Sequence, residues 1–208
     1  MRHSNQWVRN GVGLKIAVFG GTFDPVHIAH LIIANAVQSE LSLDRLFFVP
    51  GAIPPHKRSR EISSAQHRLN MLNLAIGDNP VFDLCDYEIR RGGISYTIET
   101  LNYFAEKYHL GKESLFLLIG LDNFLDFHNW KQPEEIIKIC TLIVADRVVD
   151  DEQQKPKSDI DNILYLNLPL LEISSSQIRH RIRQQKTIKY FVPAEIEEYI
   201  LSNHLYRA

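Results

Sequence analysis

Short apolar runs alternate along the chain with segments in which apolar residues recur every three or four positions. The short runs have the length and β-branched composition of buried parallel strands, and they cover residues 14–19, 45–49, 81–84 with an extension at 87–89, 114–119, 141–145 and 163–167. The intervening segments predict helices over residues 25–36, 64–76, 97–108 and 133–139, with an amphipathic helix after residue 174. Strands that alternate with helices predict an α/β fold with a doubly wound, mainly parallel sheet.

The chain length of 208 residues is enough for one sizeable domain with its own core. We expect a disordered N-terminal extension over residues 1–13 and a single domain over residues 14–208, with a small C-terminal helical part from about residue 174. The polar stretch 146–161 is predicted to be a mobile surface loop.

Charge and cysteine content narrow the class of protein. The net charge of −2 creates no global field toward nucleic acid or membranes, and no apolar run has membrane-spanning length. The two cysteines, Cys85 and Cys140, lie far apart without metal-ligand spacing, so we expect both to be reduced and buried. The polar N-terminus lacks a signal-peptide core, and together these features predict a cytoplasmic protein.

The segment 20–30, GGTFDPVHIAH, follows the first predicted strand and opens the first predicted helix. Asp24 suits the N-cap and Pro25 the first helical position, which places His27 in the first turn and His30 one turn further along. Residues three apart share a helix face, so both imidazoles should project beside the free N–H groups of the helix start. Such a position attracts polyphosphate.

Gly20 and Gly21 permit the backbone to turn sharply and to approach a ligand closely. A glycine pair between a strand and a helix is also ordinary turn chemistry, and the segment matches neither the dinucleotide fingerprint nor a Walker loop. The combination with two histidines on one helix face favours a functional interpretation.

A second informative segment runs from residue 171 to 183. Ser174, Ser175 and Ser176 offer caps and hydroxyl donors to a helix on which Arg179 and Arg183 lie four positions apart. Such a helix start can hold phosphate, with arginine as a bidentate donor. A surface helix with solvated charges is the simpler alternative, and a nucleic-acid-binding helix is disfavoured by the overall charge and by the absence of interleaved aromatic residues.

Three weaker signals follow other predicted strands. Lys57 lies in a basic, proline-stiffened loop after the second strand, which is either a ligand loop or a solvated loop. Gly120 and Asp122 follow the strand 114–119, where the aspartate could simply cap the next helix. Trp130 lies near a loop and is either part of the core or a stacking surface for an aromatic ligand.

The segment 20–30 is similar to the G-G-x-F-D-P-x-H-x-G-H signature of the nucleotidyltransferase superfamily, with Ala29 in place of a glycine. Residues 173–179 resemble its I-S-S-T-x-I-R motif, with Ser176 in place of threonine. The other matching positions occur in the order found in bacterial nicotinate-nucleotide adenylyltransferases: residues 54–57, Arg68, residues 95–97, residues 120–122 and Trp130. The pantetheine-phosphate adenylyltransferases share the first signature but are usually shorter.

This resemblance implies a Rossmann-like fold and an enzyme that transfers the adenylyl group of ATP to nicotinate mononucleotide. It implies three groups of site residues: catalytic His27, His30 and Arg179; ATP-binding Gly20, Gly21, Thr22, Phe23, His27, His30, Gly120, Asp122, Ser174, Ser175, Ser176 and Arg179; and acceptor-binding Lys57, Thr97, Trp130 and Lys131. Mg²⁺ would be bound through substrate phosphates, without a protein metal cage.

Other functions stay open at this point. The chain could be another adenylyltransferase of the superfamily, with nicotinamide mononucleotide or pantetheine phosphate as acceptor, or a nucleotide sensor without catalysis. We expect no nucleic-acid or membrane partner, and the sequence leaves open a homo-oligomer.

Overall fold

The computed structural model of the protein describes residues 13–52, 62–146, 163–167 and 171–207. Within these ranges the strands are β1 Ile16–Gly21, β2 Arg45–Pro50, β3 Phe82–Leu84, β4 Leu115–Gly120, β5 Thr141–Asp146 and β6 Ile163–Asn167. Three expectations lie outside the described residues: the disorder of the N-terminal extension, the loop that carries Lys57, and nearly all of the loop 146–161.

The six strands form one sheet in the order β3-β2-β1-β4-β5-β6, and all neighbouring strands are parallel. The predicted doubly wound, mainly parallel sheet is therefore confirmed. From β1 the chain continues through β2 to β3 at one edge of the sheet, and then crosses back to β4 and continues through β5 to β6 at the other edge. The change in direction therefore lies between β1 and β4. In open α/β sheets, ligands bind at the carboxyl ends of the strands that flank such a point.

Helices connect the strands. They are α1 Ile28–Leu41, α2 Ala65–Ile76, α3 Tyr87–Arg91, α4 Thr97–Tyr108, α5 Leu121–Leu125, α6 Pro133–Ile139, α7 Ser175–Arg183 and α8 Ala194–Ser202, with a 3₁₀ turn at Phe127–Asn129. Ser64 caps α2 by accepting from the N–H of His67, as the sequence predicted. None of the helices in the described ranges is long and apolar enough to cross a bilayer.

The predicted strand extension at 87–89 is wrong, because these residues begin the short helix α3. The ring of Tyr87 stacks on Tyr103 of α4 at 4.1 Å between centroids, and the hydroxyl of Thr100 donates to the buried Glu88. An Arg90–Asp86 ion pair of 2.8 Å spans one helical turn. Contacts with α4 thus override the apolar alternation that suggested a strand.

Two apolar clusters cover the two faces of the sheet, because successive side chains of a strand point to opposite faces. Val18 of β1 belongs to the cluster with α4 and α6, whereas Phe19 belongs to the cluster with α1, α2, α7 and α8. Cys85 and Cys140 are buried and free of disulfides, as expected.

A crevice opens near the end of β1, where its pairing with β4 stops. Strand β1 pairs with β4 only as far as Phe19–Leu118, but it pairs with β2 as far as Gly21–Pro50. The last residues of β1 therefore have no partner strand on the β4 side. This places the segment that carries the first motif at the switch point of the sheet.

Candidate active site

The crevice is a cavity of about 460 Å³ at the carboxyl ends of β1, β2 and β4. Six of the residues predicted for the site line it: Gly20, Gly21, Thr22, Thr97, Trp130 and Lys131. A Cβ added to Gly21 would lie 2.8 Å from the ring of Phe23, so only glycine fits above this ring. A drug-sized or nucleotide-sized ligand needs a cavity of this order of volume.

The first helix begins later than predicted. Asp24 is not the N-cap and Pro25 is not the first helical residue; His27 is the N-cap, α1 starts at Ile28, and His30 is in its first turn. The carboxylate of Asp24 accepts from the hydroxyl of Tyr206 at 2.7 Å and from the N–H of Ser63 at 3.2 Å. Because these long-range partners occupy the carboxylate, it does not cap the helix.

The two histidines nevertheless lie together, as predicted. Their rings stack with centroids 3.6 Å apart, beneath the aromatic cluster formed by Phe19 and Phe23. Nδ1 of His30 accepts from the backbone N–H of His27 at 3.3 Å, so the proton of the neutral ring is on Nε2. The two residues form a capping box in which the side chain of His27 faces the backbone N–H of His30, although no hydrogen bond to its Nδ1 has ordinary geometry within the described residues.

Burial sets the charge of this pair. Desolvation lowers the pKa of His27 from 6.5 to about 4. Desolvation also lowers the pKa of His30 well below its usual value, and the charge of His27 lowers it further. Both rings are therefore neutral near pH 7 in the unliganded protein. As neutral rings they can donate hydrogen bonds but carry no fixed positive charge.

Helix α7 brings Arg179 to the same segment. The guanidinium donates from Nη1 to the carbonyl of Asp24 at 2.7 Å and from Nη2 to the hydroxyl of Ser176 at 3.2 Å. Its Nε is buried and has no partner in the described parts of the chain. The hydroxyl of Ser175 donates to the carbonyl of Pro25 at 2.8 Å and holds α7 against the first motif.

The three serines are thus not equivalent. Ser174 caps α7 by accepting from the N–H of Gln177 at 3.1 Å, and Ser175 is used for docking. Only Ser176 combines an exposed position with a contact to Arg179. The prediction that all three bind ATP stays a prediction, but two of the hydroxyl groups already have structural partners.

Gly120 and Asp122 lie at the end of β4. Gly120 is the N-cap of α5, whereas Asp122 is an exposed residue in the first turn, so the simpler alternative that Asp122 caps this helix does not hold. Neither residue lines the cavity. Both face solvent at the carboxyl edge of the sheet, beside the crevice.

The far wall of the cavity carries the predicted acceptor residues. Trp130 is half-buried, and its ring lies 5.4 Å from that of Phe127. Thr97 is the first residue of α4, so its backbone N–H is at the positive end of that helix. Nζ of Lys131 lies 4.0 Å above the centroid of Tyr96 and 2.9 Å from Glu99.

Two buried charged residues were not assigned a role from the sequence. Arg68 donates to the carbonyls of Thr22 at 3.0 Å and Gly51 at 2.7 Å, and so ties the ends of β1 and β2 together. Glu88 lines the cavity beside them. The available signal for Glu88 was an acid flanked by apolar residues in the sequence Tyr-Glu-Ile.

No group of three or more histidine, cysteine, aspartate or glutamate side chains able to hold a metal ion occurs in the described ranges.

Comparison with known proteins identifies the family. Residues 18–181 match the model of the family described as cytidylyltransferase-like. The chain belongs to the cytidylyltransferase-like family. A relative from Caldicellulosiruptor saccharolyticus, named "probable nicotinate-nucleotide adenylyltransferase", is 39% identical over 93% of this chain and 100% of its own length. A relative of the same name from a Thermoanaerobacter species is 38% identical over 93% of this chain and 95% of its own.

Solved structures with low sequence identity share the fold. The Plasmodium falciparum nicotinic acid mononucleotide adenylyltransferase complexed with NaAD superposes with a TM-score of 0.76 at 20% identity, covering 93% of this chain and 97% of that one. The same Plasmodium enzyme complexed with APC gives a TM-score of 0.74. The Rossmann-like fold and the resemblance to nicotinate-nucleotide adenylyltransferases predicted from the motifs are thus confirmed.

Proposed function

We propose that this family member transfers the adenylyl group of ATP to nicotinate mononucleotide and releases pyrophosphate. The product is nicotinate adenine dinucleotide, a precursor in NAD biosynthesis. The observation that carries the proposal is that one short segment, residues 20–30, forms the edge of an aromatic-walled cavity and also carries a stacked histidine pair. Two substrates can therefore meet at this segment.

The donor side is the histidine pair together with Arg179. Nε2 of His30 carries its proton, Nε of Arg179 lacks a partner among the described residues, and the starts of α1 and α7 lie beside them. Buried polar atoms without partners are costly unless a ligand satisfies them. The phosphates of ATP supply the acceptors that these atoms need.

The acceptor side is the cavity. The indole of Trp130 offers a flat surface to the pyridine ring, and the N-terminus of α4 at Thr97 offers backbone N–H groups to a carboxylate. Lys131 adds a positive charge at the same wall. We also assign Lys57 to the acceptor phosphate on the basis of the motif resemblance; it lies outside the described residues.

The chemistry is an in-line displacement. An oxygen of the mononucleotide phosphate attacks the α-phosphorus of ATP, the bond from that phosphorus to the bridging oxygen breaks, and pyrophosphate leaves with the electron pair. The nucleophile is already an anion, so catalysis rests on alignment and on stabilising negative charge at the leaving group. His27, His30 and Arg179 do this by donating hydrogen bonds to oxygens whose charge increases.

We further propose that Mg²⁺ accompanies ATP. The cation would be held by phosphate oxygens, where it neutralises part of their charge. The two free, buried thiols agree with action in the reducing cytoplasm.

Pyrophosphate release with a panel of acceptors tests the proposal. Purified protein, ATP and Mg²⁺ should release pyrophosphate with nicotinate mononucleotide and should do so roughly a hundredfold less efficiently with nicotinamide mononucleotide, because a carboxamide leaves buried N–H donors unpaired. CTP in place of ATP tests the nucleotide donor. Pantetheine phosphate tests the other acceptor class of the superfamily.

The panel separates the alternatives. Release with pantetheine phosphate alone would assign a different acceptor, and equal efficiency with the acid and the amide would refute the carboxylate pocket. Tight ATP binding without release from any acceptor would instead identify a nucleotide sensor.

A further inference from the structure

A buried carboxylate in the cavity has no part in the mechanism above. Glu88 of α3 is 7% exposed and lines the cavity. Its Oε1 accepts from the hydroxyl of Thr100 at 2.5 Å, which fixes the orientation of the carboxylate. Among the described residues Glu88 forms no ion pair within 4 Å and no hydrogen bond at Oε2, although its charge opposes the lowering of the Arg68 pKa that burial causes. A carboxylate oxygen without a hydrogen bond at a cavity wall can accept one from a bound ligand.

Three acceptor atoms converge on one point of the cavity wall. A Cβ added to Gly51 would lie 3.6 Å from Oε2 of Glu88, 3.7 Å from Oγ of Ser95 and 3.8 Å from the carbonyl oxygen of Gly21. We call the space around this point the Gly51 niche. Oγ of Ser95 already accepts from the N–H of Ala52 at 2.9 Å, so its own proton is available to a ligand.

The chemistry of the niche selects a neutral hydroxyl. A hydroxyl donates to Oε2 of Glu88 and accepts from the hydroxyl of Ser95, which satisfies both partners at once. A phosphate or carboxylate would be repelled by Glu88, and an apolar group would leave the carboxylate unpaired. A ribose provides such hydroxyl groups, and both substrates of the proposed reaction contain one.

We propose that Glu88 and the Gly51 niche bind a ribose hydroxyl of the acceptor mononucleotide, which makes Glu88 a specificity-determining residue. This rests on the proposed function. The acceptor is favoured over ATP because Trp130 and Thr97 line the same cavity, whereas the histidine pair and Arg179 do not. Thr100 lies three residues, about 4.5 Å, beyond Thr97 along α4.

This arrangement gives the cavity a polarity. The start of α4 and Lys131 attract the carboxylate of the pyridine ring at one end, and Glu88, held by Thr100, repels it at the other. The mononucleotide is therefore oriented with its acid group toward α4 and its sugar toward the ends of β1 and β2. That orientation directs the sugar phosphate toward residues 20–22, where the adenylyl group is transferred.

Two variants test the niche independently. Glu88→Gln keeps the oxygen that accepts from Thr100 but replaces the free oxygen by an amide donor. Gly51→Ala fills the niche with a methyl group at ordinary contact distances, and Gly51 has no positive φ that would strain an alanine. Glu135→Gln, an exposed acid of α6 outside the cavity, is the matched control.

The readout is kcat/KM with nicotinate mononucleotide and with its 2′-deoxy and 3′-deoxy forms, together with the KM of ATP, 2′-deoxy-ATP and 3′-deoxy-ATP. In the parent and in Glu135→Gln, removal of one acceptor hydroxyl should lower kcat/KM by about tenfold or more, as expected for a hydrogen bond to a charged group. In Glu88→Gln and in Gly51→Ala, ribose and deoxyribose acceptors should be used equally, with the KM for ATP unchanged.

Each other result overturns the assignment. If the ratio of kcat/KM for the ribose acceptor to kcat/KM for the deoxyribose acceptor is the same in the parent and in the variants, Glu88 is only structural. If the variants instead lose the parent's preference for ATP over a deoxy-ATP, the niche binds the ribose of ATP. If Glu88→Gln fails to fold, Gly51→Ala still decides between these results. An active parent that does not discriminate among the acceptors would refute the niche alone, whereas no pyrophosphate release from the parent would refute the proposed function.

Discussion

Replacement of His30 by alanine should separate catalysis from binding. The proton of the neutral ring is on Nε2, since Nδ1 accepts from the N–H of His27 at 3.3 Å. This donor is aimed at charge that grows only as pyrophosphate departs. Loss of one such donor costs roughly 3 kcal/mol in the transition state, or about a hundredfold in kcat.

Binding of ATP should suffer much less. The ring is neutral before ATP binds, because burial and the neighbouring His27 lower its pKa. A hydrogen bond from a neutral ring to an anionic phosphate contributes about 1.5 kcal/mol to affinity, so the Kd for ATP should rise only about tenfold. The assays are single-turnover pyrophosphate release and calorimetric titration with ATP.

Stability must be measured in parallel, because the ring of His30 also packs 5.0 Å from that of Phe23. His30→Gln is the second variant, since a glutamine at this position of the first turn can still accept from the N–H of the N-cap. His67→Gln, on α2 and bonded to Tyr199, is the control outside the site. Single-turnover rates of His30→Ala within about threefold of the parent, with the fold intact, would refute the assignment.

The remaining predictions concern Arg179, Trp130 and the acid sensitivity of His27. Arg179→Lys should lower kcat by about tenfold or more, because an ammonium lacks the fixed planar fork with which the guanidinium bonds the Asp24 carbonyl and the Ser176 hydroxyl and keeps Nε for a phosphate. If kcat and the KM for ATP stay at the parent's values, Arg179 is only a solvated charge on the helix. Trp130→Ala should lower kcat/KM for the acid and amide acceptors alike by about tenfold and leave the KM for ATP unchanged. If kcat/KM for the acceptors is unchanged, the indole is only part of the core. The free energy of unfolding should decrease as pH falls from 6.5 toward 4, because His27 protonates more readily in the unfolded chain. The full effect is about 3 kcal/mol. In denaturant titrations, the free energy of unfolding of His27→Asn should depend less on pH in that window.

The local pattern was sufficient for most of the elements. β1 could be predicted because a buried parallel strand must be apolar on both faces. The start of α2 could be predicted because Ser64 caps it through the N–H of His67, only three residues later. The stacked histidines belong to the same class: a spacing of three residues at a helix start brings their side chains together in any fold.

Other features depended on contacts between distant segments. The start of α1 moved from Pro25 to Ile28 because the carboxylate of Asp24 is bonded to Tyr206, 182 positions away, and the chain between them must fold before that contact exists. Likewise the residues at 87–89 became a helix because Tyr103 and Thr100 of α4 pack on them. Neither outcome is encoded in the periodicity of the segment itself.

The active site shows most clearly which features the local sequence determines and which depend on the tertiary structure. The sequence alone determined which side chains could meet phosphate, since helix starts, glycine turns and arginines have this property wherever they lie. Only the tertiary structure decided that Glu88, Gly51 and Ser95 share one niche, because they come from α3, the end of β2 and the turn before α4, and the sheet order brings these three together. Local chemistry is a property of neighbouring residues, whereas a pocket is a property of the strands and helices that surround it.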